Sequence, residues 1–141
     1  MPAVFEEAGI RFQYPENWPL EREPTEEGWT VLVQSPATAF LMMVFREGIP
    51  EPAALADAAL EALRADYPDL EADVSVDTLA GLPALGHDIR FISLDLTNTC
   101  WTRCIAISQG TLLIMCQYND LEEGTHQAVL RAMCASLEIE D

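Results

Sequence analysis

The first part of the chain carries three short segments in which apolar residues recur at strand spacing, and this pattern predicts β-strands. The segments are IRFQY (10–14), WTVLVQ (29–34) and TAFLMMVFRE (38–47). The second is β-branched and lies between Gly28 and Pro36, both of which favour turns. Consecutive strands with no helix between them predict an antiparallel meander.

The spacing changes to that of a helix in PEPAALADAALEALRADYP, residues 50–68. One face of this segment carries an apolar stripe formed by Ala56, Leu60, Leu63 and Tyr67. Pro52 suits a first helical turn, and Pro68 prevents the helix from continuing. The segment therefore predicts an amphipathic helix that packs against the strands.

Four further strands and a closing helix are predicted after it. The strands are LEADVSVDTL (70–79), ALGHDIRFISLDL (84–96), TCWTRCIAIS (99–108) and TLLIMCQYN (111–119), separated by turns at AGLP, TN and QG. In EEGTHQAVLRAMCASLE an apolar helical face is formed by Val129, Leu130, Met133 and Leu137. Thr125 is placed to cap this helix.

Two of the strands are apolar on both faces, which decides the predicted architecture. In FLMMVF, residues 40–45, alternate side chains point to opposite faces and all of them are apolar. Such strands need cover on each side, from helices or from a partner. We predict an α+β fold in one domain spanning 1–141: an antiparallel sheet of about six to eight strands with helices packed against it, in the order β-β-β-β-α-β-β-β-β-α.

The segment between the first two strands is predicted to have a structural rather than a catalytic role. It comprises YPENWP and the overlapping PLEREPTEEG. Pro15 and Pro19 fix the path of the chain, and the indole of Trp18 can cover the end of the sheet. The segment PLEREPTEEG is short and polar, so we predict a surface loop.

The charge of the chain excludes two classes of ligand. Twenty-four acidic residues face seven basic ones, giving a formal net charge of −17. This charge repels phosphate backbones and anionic lipid, so we predict neither nucleic-acid nor membrane binding. The start of the chain lacks the pattern of a signal peptide and AFLMMVF is too short to span a bilayer, so we expect a cytoplasmic protein.

The cysteines and histidines predict no catalytic, cofactor or metal site. Cys100, Cys104, Cys116 and Cys134 all lie in apolar elements, where buried thiols are expected. If the hairpin around Gly110 has a three-residue loop, Cys104 lies opposite Cys116 and the two can pair. His87 and Asp88 are adjacent on one strand and so point to opposite faces, and His126 has no ligand-type neighbour by motif.

Three short motifs resemble the PsbP-like superfamily, which includes photosystem extrinsic proteins, Ran-binding regulators and DcrB-like proteins. They are FQYPENW at 12–18, LAGLPA at 79–84 and ASLE at 135–138, and they occur with the same order of elements over nearly the whole chain. The resemblance implies a scaffold that binds macromolecules and generally lacks catalysis. Without a transit peptide or a lipobox cysteine, the chain resembles a cytosolic bacterial branch.

We therefore predict a non-catalytic cytoplasmic binding or adaptor domain that recognises a protein partner. The residues predicted to bind that partner are Leu41, Met42, Met43, Phe45 and Trp101. A narrower alternative, which the resemblance suggests, is a homodimeric chaperone for apolar segments of type VI secretion effectors. The third alternative is an enzyme whose pocket unites His87 or His126 with a carboxylate or thiol across the fold.

Overall fold

The computed structural model describes residues 2–48 and 51–140, so Pro50 of the predicted helical segment lies outside the described residues. The strands within these ranges are β1 (Pro2–Glu7), β2 (Ile10–Pro15), β3 (Leu20–Thr25), β4 (Gly28–Gln34), β5 (Phe40–Glu47), β6 (Glu71–Leu79), β7 (Leu82–Ser93), β8 (Leu96–Ile107), β9 (Gly110–Asn119) and β10 (Glu138–Ile139). The helices are α1 (Pro52–Asp66) and α2 (His126–Ala135), with a 3-10 turn at Asp120–Glu122 before α2. Neither α1 nor α2 is long and apolar enough to cross a membrane.

The strands form two antiparallel sheets, which confirms the predicted α+β class. The large sheet has the order β3-β4-β5-β9-β8-β7-β6, and the small sheet has the order β1-β2-β10. Strands β5 and β9 lie near the centre of the large sheet, in agreement with their apolar character on both faces. The order of elements differs from the prediction, because five strands precede α1 and a short strand follows α2.

The segment PLEREPTEEG is not a loop, and the prediction was wrong there. Residues Leu20–Thr25 form β3, which pairs with β4 along its whole length at one edge of the large sheet. All of β3 after Leu20 is exposed. A strand that is exposed on both faces shows no apolar alternation, and Pro24 is tolerated because one side of an edge strand forms no ladder. Strand β3 is therefore recognised only by its pairing with β4.

The two faces of the large sheet are covered by different elements. Helix α1 packs on β7, β8 and β9, where Leu55, Ala56 and Leu60 are buried. The small sheet and α2 cover the other face, and their residues share one apolar core with β4 and β5. Trp18 belongs to this core and is 3% exposed, so its indole is buried.

The hairpin turns correct two predictions. The turn between β7 and β8 is at Leu94 and Asp95, both with positive φ, rather than at TN, which lies within β8. The loop between β8 and β9 has two residues rather than three, since Ile107 faces Gly110. Thr125 does occupy the N-cap position of α2, but its side chain makes no capping hydrogen bond.

The shorter β8–β9 loop changes the pairing of the cysteines. Cys104 lies opposite Leu113, so the predicted contact between Cys104 and Cys116 does not form. Instead the Sγ atom of Cys116 lies 3.7 Å from that of Cys134 in α2. All four cysteines are buried free thiols.

Candidate protein-binding site

Most of the predicted binding residues lie on strand β5 and point into the core. Leu41 and Met43 are each 1% exposed and Phe45 is 3% exposed, all on the face that packs against the small sheet. These three side chains cannot reach a partner in this structure, so the patch predicted from the sequence is wrong for them. Met42 points to the opposite face and is half-buried.

The opposite face of β4 and β5 is apolar and only partly covered. Its exposed surface comes from the half-buried side chains of Leu32, Phe40, Met42 and Val44, which we call the open sheet face. Register places Leu32 of β4 directly beside Met42 of β5. Helix α1 covers this side of the sheet over β7, β8 and β9, so β4 and β5 lie beside the helix.

Acidic side chains border the open sheet face on the side of β3. Register places Glu21 opposite Leu32 and Glu23 opposite Thr30, so both glutamates share a face with the apolar residues. Both are exposed. Together with Met42 and Arg22, these side chains line an open groove of about 550 Å³.

The floor of the open sheet face contains a pair of methionines. Met42 lies opposite Met115 of β9, and both point toward the α1 side of the sheet. Methionine has an unbranched, polarisable side chain that adapts to irregular apolar surfaces. This part of the face can therefore adjust to ligands of different shape.

Trp101, the fifth predicted binding residue, is engaged within the chain. It is 8% exposed, and the guanidinium of Arg131 lies 4.9 Å from the centre of its ring. Tyr118 contacts the same indole edge to face, with ring centroids 6.0 Å apart. The contact with Arg131 stabilises the docking of α2 on β8, whereas the contact with Tyr118 joins β8 to β9. Together they leave little of the ring exposed.

His87 and Asp88 point to opposite faces of β7, as predicted. The imidazole of His87 is buried toward α1, where its Nε2 atom lies 3.9 Å from a carboxylate oxygen of Asp57. Asp88 accepts a hydrogen bond of 2.9 Å from Arg103 on the other face. Within the described ranges the Nδ1 atom of His87 has no hydrogen-bond partner. The arrangement brings no nucleophile to the imidazole.

His126 contacts a carboxylate that the sequence did not connect with it. Its Nδ1 atom lies 3.0 Å from Glu122, whose oxygens also accept hydrogen bonds from the backbone N–H groups of Thr38, Ala39 and Asn119 and from the hydroxyl of Thr38. Burial raises the pKa of Glu122, but these hydrogen bonds outweigh it and lower the pKa from 4.5 to about 2. The ionised carboxylate thus ties the β4–β5 loop to the start of α2.

The cysteines differ in their chemistry. Burial raises the pKa values of Cys100 and Cys104 to about 12. It also raises the pKa of Cys116. The hydrogen bond from Cys116 lowers the pKa of Cys134, with further support from Trp101 and Arg131. In the described part of the chain no group of three or more His, Cys, Asp or Glu side chains could hold a metal ion.

The sequence pointed to part of the open sheet face and missed the rest. The alternation in β5 already separates Phe40, Met42 and Val44 from the core-facing residues. The contributions of Leu32, Glu21 and Glu23 depend on the pairing of β3 with β4, and β3 carries no apolar pattern from which that pairing could be predicted.

Comparison with known proteins identifies the fold. No protein-family model and no curated protein matches the sequence. Among solved structures, the chain is similar to the cyanobacterial PsbP protein CyanoP from Synechocystis sp. PCC 6803, with a TM-score of 0.65 and 12% identity over 99% of this chain and 92% of that one.

Two further solved structures have the same fold. LpqN, involved in cell envelope biogenesis of Mycobacterium tuberculosis, matches with a TM-score of 0.59 and 18% identity over 100% of this chain and 90% of that one. PA94, a protein of unknown function from Pseudomonas aeruginosa, matches with a TM-score of 0.59 and 11% identity over 99% of this chain and 98% of that one. At these identities the likeness establishes the fold alone, and that fold is PsbP-like.

Proposed function

We propose that this chain is a non-catalytic, cytoplasmic adaptor domain that binds an apolar, basic segment of a partner protein on the open sheet face. The observation that carries the proposal is the position of Leu32, Phe40, Met42 and Val44, which are half-buried beside α1 and bordered by exposed glutamates. An apolar centre with a charged rim is the usual composition of a protein-binding surface.

The charge of the chain supports a basic partner. The net charge of −17 attracts a cationic segment over long range, while Glu21 and Glu23 supply charges at the edge of the apolar surface. Long-range attraction raises the rate of association, and burial of the apolar floor slows dissociation. The two features therefore act on different steps of binding.

Affinity capture from the native host tests the proposal with a matched set of variants. The immobilised wild-type chain is compared with Met42→Glu, which places a charge on the apolar floor, and with Met42→Leu, which preserves an apolar side chain. Ile92→Thr serves as a control, because it removes an apolar side chain that is 75% exposed on β7. Circular dichroism verifies that each variant is folded.

We expect one stable partner to be retained by the wild type, Met42→Leu and Ile92→Thr, and to be lost with Met42→Glu. The proposal is contradicted if no partner is retained, or if Met42→Glu retains the same partner as the wild type.

The pair of Met42 and Met115 favours a second candidate, a chaperone for apolar segments of type VI secretion effectors. This candidate predicts binding of an isolated apolar helix. A synthetic alanine-leucine helix of about 20 residues with lysines at both ends provides the probe, and fluorescence anisotropy measures its binding. An extended lysine-rich peptide of equal length is the control. Equal affinity for both peptides contradicts the chaperone role.

A further inference from the structure

The second edge of the large sheet, strand β6, differs from β3 in a way that points to a ligand. Strand β6 pairs only with β7 in the described sheets, so one side of its nine-residue backbone forms no ladder. Edge strands of this length are usually protected by proline, lysine or a covering element. Strand β3 has Pro24 and charges on both faces, whereas Glu71–Leu79 contains no proline and carries its charges on one face only.

The register of the hairpin shows which backbone groups of β6 face outward. Ala80 and Gly81 form a two-residue turn with positive φ, closed by Leu79 and Leu82. In such a hairpin the closing pair is hydrogen-bonded, and hydrogen-bonded and non-hydrogen-bonded pairs then alternate. Val74 and Val76 fall in non-hydrogen-bonded positions, so their N–H and C=O groups point away from β7, toward the open edge.

The side chains of the same two residues form an exposed apolar surface. Val74 is 71% exposed and Val76 is 73% exposed, and both point to the α1 side of the sheet. Beside Val76, a cavity of about 490 Å³ extends inward under the start of α1, where Pro52, Leu85 and Cys104 line it. A long apolar side chain that leans over Val76 can enter this cavity.

The other face of β6 is acidic. Glu71, Asp73 and Asp77 point away from α1, and their side chains are 76%, 77% and 57% exposed. Arg90 of β7 and Arg103 of β8 contact these carboxylates but leave them open to solvent. An added strand would therefore meet apolar groups on one face and carboxylates on the other.

We propose that β6 binds an extended segment of a protein partner by strand addition, and that this segment alternates apolar residues with lysine or arginine. Its backbone would bond to Val74 and Val76, its apolar side chains would pack beside these valines, and its basic side chains would lie opposite the acidic face. The proposal concerns a surface separate from the open sheet face and does not depend on it.

Charge disfavours a second copy of this chain as the occupant. A copy paired in antiparallel register about Ser75 would place Asp73 of one chain opposite Asp77 of the other. Like charges directly opposite each other destabilise a strand pair, and the net charge of −17 on each copy adds long-range repulsion.

Peptide binding tests the proposal on the intact chain. The probe is a fluorescent peptide of about nine residues that alternates lysine and valine, and the controls are an alternating glutamate-valine peptide and a peptide with the lysines and valines in separate blocks. The protein variants are Val76→Pro, which removes an outward N–H without breaking the bonds to β7, and the double change Val74→Thr and Val76→Thr, which retains the backbone. Ile92→Thr and Leu121→Thr, which each remove an exposed apolar side chain outside β6, are the matched controls.

We expect the alternating lysine peptide alone to bind, with protection of the Val74 and Val76 amides from hydrogen exchange. Val76→Pro should weaken binding about tenfold or more, since a hydrogen bond of about 1.4 kcal/mol corresponds to that factor, and the threonine variant should weaken it as well. The two control variants should bind like the wild type. Unchanged affinity in both β6 variants, protection elsewhere, or dimerisation abolished by Val76→Pro would each overturn the proposal.

Discussion

At the scale of single residues, Glu122 is the clearest example of a polar group that organises the apolar core around it. It is 5% exposed, yet its carboxylate is ionised and accepts hydrogen bonds from residues more than 80 positions away. A buried charge is tolerated only where hydrogen bonds replace the water it has lost. Here those bonds come from Thr38 and Ala39, so the folded β4–β5 loop and the ionised carboxylate depend on each other.

We predict that Glu122→Gln lowers the free energy of unfolding at neutral pH by about 2 kcal/mol or more, because charge-assisted hydrogen bonds are lost and an amide group faces N–H donors. Urea unfolding followed by circular dichroism measures the change. Glu123→Gln is the control, since Glu123 is the exposed neighbour. Equal destabilisation by both substitutions would contradict the role of Glu122.

The same residue predicts an acid dependence. Its pKa is lowered from 4.5 to about 2 in the folded chain, so the unfolded chain binds the proton more tightly. The stabilisation is therefore present above about pH 5 and decreases as pH falls toward 2, by about 3 kcal/mol in total. Compared over this range, the Glu122→Gln variant should show a shallower loss of stability than the wild type. If the stabilities of the variant and the wild type fell equally with pH, Glu122 would not be the group responsible for the acid dependence.

The cysteines provide a third prediction at this scale. Cys134 should react with iodoacetamide before the other thiols, because its pKa is lowered while those of Cys100 and Cys104 are raised to about 12. Peptide mapping by mass spectrometry after short exposure of the folded protein identifies the modified residue. Cys134→Ser should remove the early product. Early labelling of Cys100 or Cys104 would contradict the prediction.

At the scale of elements, the contact between β7 and β8 requires a glycine at one position. A Cβ atom at Gly86 would overlap the carbonyl oxygen of Thr102 on the neighbouring strand, and neither backbone can move without disturbing the ladder. We predict that Gly86→Ala lowers the free energy of unfolding by about 2 to 3 kcal/mol. Gly124→Ala is the control, since a Cβ atom there meets nothing within 4 Å. Thermal unfolding of both variants tests the difference.

The elements that could be predicted from the sequence are the helices and strands that carry apolar residues on one or both faces. Helix α1 and strands β4, β5 and β9 carry such patterns, and the structure places them as expected. Strand β3 is defined by pairing alone, since its residues bury almost nothing. The turn at Leu94 and Asp95 was missed because leucine is rare at positive φ, although aspartate tolerates it, and because the nearby Thr97-Asn98 pair is more polar.

The candidate site could also be predicted only in part. Alternation in β5 showed which side chains share a face, but both faces are apolar, so the sequence did not show which face would be covered by the small sheet from a distant part of the chain. Leu41, Met43 and Phe45 were therefore assigned to a partner while the structure buries them. Of the predicted residues on β5, only Met42 belongs to the candidate binding site, because its side chain lies on the face that α1 leaves partly open.

At the scale of the whole molecule, the net charge of −17 predicts opposite effects of salt on folding and on binding. In the described part of the chain, five surface arginines form ion pairs, such as Arg22 with Glu7 at 2.6 Å, that salt weakens. Each exposed pair contributes at most about 1 kcal/mol, whereas repulsion among the unpaired carboxylates acts over the whole surface and is screened within about 10 Å at 0.1 M salt. Screening of the repulsion should therefore dominate, and stability should rise.

We expect the free energy of unfolding in urea to increase by about 1 kcal/mol when NaCl is raised from about 0.01 to 0.3 M. Over the same range the affinity for the alternating lysine peptide should fall, because that binding depends on attraction between unlike charges. A variant with Glu21→Lys and Glu23→Lys has less repulsion to screen, so its stability should depend less on salt. Stability that falls with salt would show that ion pairs, rather than net charge, govern the electrostatics of this fold.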